Sequence, residues 1–505
     1  MSGARFVVGS VVVLALSLPT VSCGKKKRIH ERVNTVSRPV IPFALQLGEA
    51  DERSVVVWVK SSRAQKMVVE WAENERFERA VRKEAALIGD ELFAGSLRVE
   101  DLPATTSTIW IRAAVIDGVT ASEWTYTRWV KPTPGGPLRF HWGGDVAGQG
   151  WGSDPARGGM RIFESMRKRA PHFFVNAGDW IYADNPLVEE VPLIDGGVWR
   201  NPGARKLDHE SVSLEDLRER YLYNLRDEHV ARYLSSTPVF FIWDDHEVRN
   251  NWFPETAMEQ RSTAALRALS EMTPFGSRRS QTMFRRIHFG ELDLFLLDGR
   301  SHRSPNSENR EPTGTAFWGQ EQLAWLKSSL KESKALWKVI VNDMPLAIRT
   351  SDPPREGQPR TEDGIANGDP GAPLGREKEV AGLLSYLKKE RIENFVFLTA
   401  DVHYGAAHRF SPNENPRPNA FRNFEPFFEF VAGPLHAGSF PPQPLDETFG
   451  GAIVYATPLQ ADSSPAAGGQ YFGEVNFDPT NKLLRVSIHD VHGVELFFQT
   501  IAPTL

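Results

Sequence analysis

The sequence predicts a two-part chain: an all-β sandwich followed by a larger α/β domain with a sheet-on-sheet core flanked by helices. Three observations carry this. Residues 38–133 alternate short strand-like runs with turn residues and show no catalytic cluster. Lys131-Pro132-Thr133-Pro134-Gly135-Gly136-Pro137 then reads as a linker. From 138 to 505, strands alternate with helical patterning, and the chain turns strand-rich again after Phe427.

Taken in order, the chain opens with Arg5 and the apolar run Phe6–Leu18. That run is short for a membrane span and suits a signal-peptide core. Thr20-Val21-Ser22-Cys23 resembles a bacterial lipobox. The reading is a signal peptide over 1–23, export to the periplasm or cell surface, and membrane attachment through a lipidated Cys23. Residues 24–37 come next as a basic tether. Cys23 is the single cysteine of 505 residues, which excludes an intramolecular disulfide and a cysteine-rich metal site. A net charge of −5 suggests no general nucleic-acid affinity. Strands over Ser54–Val59, Lys66–Trp71, Ser107–Val115 and Glu123–Thr127 suit an immunoglobulin- or fibronectin-like sandwich. Beyond the linker, strands are expected at Leu138–Gly143, Phe173–Val175, Pro238–Trp243, Leu292–Leu297, Trp337–Val341 and Phe395–Leu398. Helices are expected over Met160–Ala170, 213–235, Gln320–Ser333 and 376–391. The Pro- and Gly-rich stretch 350–375 reads as a long surface loop, a candidate lid.

The residues just beyond each core strand carry the chemistry. Leu138–Gly143 leads into Gly144-Asp145, and Phe173–Val175 into Asn176-Ala177-Gly178-Asp179-Trp180-Ile181-Tyr182. Pro238–Trp243 runs into Asp244-Asp245-His246-Glu247, and Phe395–Leu398 into Thr399-Ala400-Asp401-Val402-His403. Ligands of an open α/β sheet gather beyond the carboxyl ends of its strands. Adjacent carboxylates at the end of a buried strand are costly unless a cation neutralises them. Four such ends together point to a metal site. Oxygen ligands with one or two imidazoles suit hard or borderline cations. Two metals roughly 3.5–4 Å apart can clamp a phosphoryl group, generate hydroxide and stabilise the leaving oxygen. Asp179 is the expected bridging carboxylate, and His246 the expected proton donor to the leaving group or hydrogen-bond donor to phosphate.

The motifs Gly178-Asp179-Trp180-Ile181-Tyr182, Trp243-Asp244-Asp245-His246-Glu247-Val248, Leu297-Asp298-Gly299-Arg300 and Asp401-Val402-His403 resemble those of PhoD-like alkaline phosphatases, a branch of the calcineurin-like metallophosphoesterases. The resemblance implies a metallophosphoesterase β-sandwich core behind an N-terminal sandwich domain, and an exported phosphomonoesterase or phosphodiesterase. It implies Asp179, Tyr182, Asp245, Asp401 and His403 as metal ligands, with Arg300 contacting phosphate or supporting the site. Two or more metal ions are implied, Fe³⁺ and Ca²⁺ by family habit. Asp145 stands where the best-known branch has a cysteine ligand, which leaves Mn²⁺ and Zn²⁺ open. The signal also lacks the twin-arginine pair common in the family. The expected partner is a phosphate-ester substrate, and the expected state a monomer. Two rivals compete: a purple acid phosphatase, whose Gly-Asn-His and Gly-His-x-His motifs the chain lacks, and a binding-only surface lipoprotein with a decayed enzyme domain.

Overall fold

The computed structural model describes residues 38–275, 282–352, 361–369, 371–413, 417, 419–458, 460 and 462–504. The expected signal peptide, Cys23 and tether lie outside the described residues. Among the described residues no helix is long and apolar enough to cross a membrane.

The N-terminal strands are β1 (Gln46–Gly48), β2 (Val55–Lys60), β3 (Lys66–Ala72), β4 (Val81–Ala86), β5 (Ala94–Val99), β6 (Thr108–Asp117) and β7 (Thr125–Val130). After them come β8 (Leu138–Gly143), α1 (Ile162–Lys168), β9 (Phe173–Ala177), α2 (Leu214–Leu225), α3 (Glu228–Ser236), β10 (Val239–Ile242) and α4 (Glu259–Met272). The second sheet is built from β11 (Arg285–Phe289), β12 (Leu292–Leu296), β13 (Trp337–Val341), β14 (Phe395–Thr399), β15 (Ala406–Phe410), β16 (Phe427–Val431) and β17 (Gly451–Ala456). Helices α5 (Gly319–Glu332) and α6 (Glu377–Glu390) flank it, and β18 (Tyr471–Phe477), β19 (Leu484–Asp490) and β20 (Glu495–Ile501) close the chain.

Two large sheets face each other. One runs β20-β19-β18-β8-β9-β10-β1-β2-β5, the other β11-β12-β13-β14-β16-β15-β17. Phe173, Val175 and Ala177 of β9 and Phe240 and Ile242 of β10 point into the core between them, against Leu294, Val339 and Leu398. The alternate residues Phe174 and Phe241 pack on the other face, with Phe163 and Leu234 of the helices. Strands covered on both faces read as unbroken apolar runs, which is why the sequence showed them so plainly. On the far side α5 and α6 bury Leu326, Leu330, Leu383 and Leu387 on the second sheet.

Three expectations change. Helix 213–235 is two helices. Ser213 and Asp216 form a capping box on α2, and Asp227 restarts the chain as α3 by accepting from the His229 and Val230 amides. The all-β segment is not set apart by a loose linker. Its two sheets share one core, with Val57 and Val59 facing Met67 and Ile111, but β1 also pairs in parallel with β10 at Gly48–Val239. Lys131, in the expected linker, is buried and donates to the Glu52 carbonyl at 3.0 Å. Third, part of the expected surface loop is interior: Glu362, Asp363, Ile365 and Asn367 are all buried. Residues 353–360 of that loop lie outside the described residues.

Candidate metal centre

The parallel strands β8, β9 and β10, and β13 and β14 of the facing sheet, deliver the functional side chains from their carboxyl ends. Asp145, Asp179, Asp401 and His403 all hold positive φ, at 65°, 51°, 71° and 61°. Left-handed backbone in non-glycine residues is strained, and it concentrates at functional sites. The turns also need close backbone approach. A Cβ on Gly178 would lie 2.5 Å from Asp244 Cβ, and one on Gly433 would lie 2.1 Å from Asp145 Oδ2.

Glu247 joins two of these turns. Its Oε1 accepts from the Trp180 and Ile181 amides at 2.8 and 3.4 Å, and its Oε2 from the Asp244 and Asp179 amides at 2.8 and 3.2 Å. Burial pushes its carboxyl up to about 7 against the pull of those four donors.

The carboxylates it sets in place converge. Asp145, Asp179 and His403 offer ligand atoms within 4.8 Å of one another, and so do Asp179, Asp245 and His246, and Asp244, Asp245 and Asp401. Asp179 belongs to the first two groups, as a bridging carboxylate must. Both oxygens of Asp145, Oδ2 of Asp179 and Oδ1 of Asp245 are buried without a hydrogen-bond partner. Buried carboxylate oxygens left bare are costly, and a cation is what satisfies them. Burial raises the carboxyls of Asp145 and Asp179 well above the usual range, and the charges of Asp401 and Asp245 respectively add to this. Burial and the Asp245 charge lift Asp401 to about 8. The donor set therefore fits cations, which reverse this pressure by favouring the charged form.

The imidazoles are held in opposite states. His403 Nδ1 donates to the Gly438 carbonyl, and its Nε2 accepts from the Tyr182 hydroxyl at 2.7 Å. Burial lowers His403 to about 3, so the ring is neutral with its Nε2 lone pair turned toward Asp145 and Tyr182. That is the form a metal ligand needs. Burial also raises the Tyr182 hydroxyl, with the Asp179 charge adding to it. For His246 burial pulls down, but the carboxylates of Asp245 and Asp184 prevail and lift it to about 9. Asp184 Oδ1 accepts a hydrogen bond from His246 Nδ1 at 2.6 Å, and the ring stacks on Tyr182 at 4.2 Å. His246 is thus held by Asp184 on the cavity wall, placed to give a proton or a hydrogen bond.

A PhoD-like phosphatase family model matches residues 140–488, the whole span that supplies these side chains. The chain belongs to the PhoD-like phosphatase family. Alkaline phosphatase D of Bacillus subtilis (strain 168) is 28% identical over 268 residues, which is 48% of this chain and 42% of that relative. The matched stretch therefore spans less than half of that relative's length. A solved structure of PhoD superposes with a TM-score of 0.68 over 94% of both chains at 17% identity, which establishes the shared fold.

The PhoD-like site opens into a cavity of about 550 Å³ lined by Asp179, Asp245, His246, Asp401 and His403. Gln149, Asn185 and Thr350 stand on its walls. Arg349, Phe440 and Gln443 also line it, and no sequence signal marked them. Arg300, expected as a catalytic residue or a support, does not reach the cavity. It is fully buried, and its guanidinium donates to Asp244 Oδ1 at 2.5 Å, the Trp252 carbonyl at 3.1 Å and Asp363 at 2.9 and 3.1 Å. Its position corrects the phosphate-contact expectation: Arg300 neutralises the carboxylates from beneath. Asp298 accepts only its backbone amide, at 3.0 Å. Sequence reasoning missed Asp343, Arg303 and Asp363, which form that supporting layer, and Asp184, which holds His246. Asp343 comes after β13 as the ligands come after their strands, so its strand-end position was the one available signal. Asp363 sits in the stretch read as a loop.

Proposed function

We propose that this chain is a metal-dependent phosphatase that hydrolyses phosphomonoesters, phosphodiesters or both. The observation that carries the reading is the series of overlapping groups linked through Asp179 and Asp245, with bare buried carboxylate oxygens, beside an open cavity. Asp145, Asp179, Tyr182, Asp245, Asp401 and His403 are the residues that would hold the ions. Cations bound there polarise phosphoryl oxygens and make water acidic enough to attack at ordinary pH. The protein's own part is to fix those ligands, to keep His403 neutral, and to hold His246 by Asp184 on the cavity wall as the proton donor to the leaving oxygen. Aspartate at 145 and four further oxygen ligands favour hard or borderline cations, so Mn²⁺, Zn²⁺ and Ca²⁺ stand beside Fe³⁺ as candidates.

Residues 38–133 are read as an immunoglobulin-like module preceding the metallophosphoesterase core, supported by their two facing sheets. Export with lipidation at Cys23 rests on the N-terminal sequence pattern, and a monomeric state is part of the same reading. The test is elemental analysis of the purified protein, combined with assays on p-nitrophenyl phosphate and its bis-ester across pH 5–10 and several metals. Metal content near or above two ions per chain with turnover of either ester is expected. Metal-loaded protein inactive on both would refute the reading.

A further inference from the structure

The geometry points to Arg349 as the residue that binds the dianionic end of the substrate and so favours phosphomonoesters over diesters. This rests on the phosphatase reading above. Arg349 is the one arginine or lysine among the described residues lining the metal cavity, and its side chain is 30% exposed there. It differs from Arg300 in what it does with its donors. Arg300 spends its charge on the carboxylates beneath the site, whereas both hydrogen bonds of Arg349 go to Glu362, from Nε at 2.9 Å and from Nη2. Nη1 makes no hydrogen bond among the described residues.

The guanidinium is fixed before any ligand arrives. Glu362 is itself buried, and Arg310 Nη2 donates to it at 3.2 Å, so the carboxylate that clamps Arg349 is held from a second side. Gly368 provides the surface on which the guanidinium rests: a Cβ there would come within 2.4 Å of Arg349 Cζ. Asp446 stands behind, accepting from the Gly368 amide at 3.0 Å and attracting Arg349 from that side. A planar guanidinium clamped by Glu362 in the wall of a metal cavity suits phosphate oxygens. Gln149 and Asn185 line the same cavity. Gln149 and Asn185 each have their amide oxygen occupied by a backbone N–H, of Gly438 at 2.9 Å and of Gln149 at 3.1 Å. This leaves both NH₂ groups as donors toward a substrate's oxygens. A diester presents one negative charge and a second bulky group on the phosphorus. A monoester presents two charges and a bare oxygen for the guanidinium, so it gains more from Arg349.

The experiment compares metal-loaded wild type with Arg349→Ala, Arg349→Lys and Glu362→Gln. It measures kcat/KM on p-nitrophenyl phosphate and bis-p-nitrophenyl phosphate, metal content, melting temperature, and calorimetric binding of inorganic phosphate at pH 8. In Arg349→Ala we expect both rates to fall and the monoester-to-diester ratio to drop about tenfold or more, the usual worth of a charge-assisted hydrogen bond. Phosphate binding should weaken by a similar factor at full metal content. Arg349→Lys should recover part of the ratio, and Glu362→Gln should fall between. An unchanged ratio with unchanged phosphate affinity overturns the assignment, and so does an equal loss on both esters accompanied by a lower melting temperature. If wild type hydrolyses neither ester, the phosphatase reading has failed. The phosphate titration then still decides whether Arg349 holds a dianion.

Discussion

Replacing Glu247 by glutamine tests how the site is assembled. The substitution keeps the shape and removes one acceptor oxygen. Each oxygen receives two backbone amides, those of Trp180 and Ile181 on one side and of Asp244 and Asp179 on the other. Whichever way the new amide turns, its NH₂ confronts two buried N–H donors. A buried donor left unpaired costs about 1–3 kcal/mol, so two cost about 2–6 kcal/mol. Relief of a buried charge offsets part of this, because burial already lifts the Glu247 carboxyl to about 7. A net loss of about 2–4 kcal/mol is expected, which for a unit of this size lowers the melting temperature by about 2–4 °C. Both turns that carry Asp179 and Asp245 should loosen, so metal affinity should fall about 10–100-fold, the usual effect of losing a group that orients ligands. Differential scanning calorimetry and metal titration of the chelated protein read the two effects separately. A variant with unchanged melting temperature and metal affinity would show that Glu247 does not hold these turns.

The same geometry sets further outcomes. Asp179→Asn should abolish turnover and lower bound metal; normal metal content with a normal rate would refute the bridging role. His246→Ala should retain metal and lose kcat by about 10²–10⁴, the range for a lost acid–base group, and an unchanged kcat would assign that proton to another group. Gln149→Ala should reduce metal affinity about tenfold with the fold intact, because Gln149 holds the Gly438 amide and Gly438 holds His403; retained affinity would break that chain of positioning. The pH dependence has a definite sign. Burial raises Asp401 from 3.8 to about 8 in the metal-free fold. Stability from a raised carboxyl is fully present below its unfolded value and is lost as pH rises through the folded one. The melting-temperature gap between metal-loaded and chelated protein should therefore widen from pH 5 to 8.5, since cations favour the ionised form. A gap that stays constant over that range would refute the coupling.

The sequence by itself determined where the candidate ligands lie, because each strand doubly covered by apolar neighbours stops abruptly at charged residues. Phe240-Phe241-Ile242 before Asp244-Asp245-His246, and Phe397-Leu398 before Asp401, made both strand and strand end visible without contacts. Periodicity also showed α5 and α6. It merged α2 and α3, since a helix break at a capping aspartate leaves the apolar spacing nearly intact. Only the tertiary structure decided what surrounds the ligands. Glu247 had no role in the sequence because its partners are backbone amides, which nearly every residue possesses. Arg300 could have faced phosphate or protein, and its full burial among Asp244, Asp343 and Asp363 settled that through contacts between residues far apart in the chain. Asp363, Glu362 and Arg349 lie in or beside a stretch whose Pro and Gly content reads as solvent-exposed, yet Asp363 pairs with Arg300, Arg349 lines the cavity and Glu362 clamps Arg349. Composition reports what a segment tolerates locally; whether it is folded inward depends on distant charges that it meets only in three dimensions.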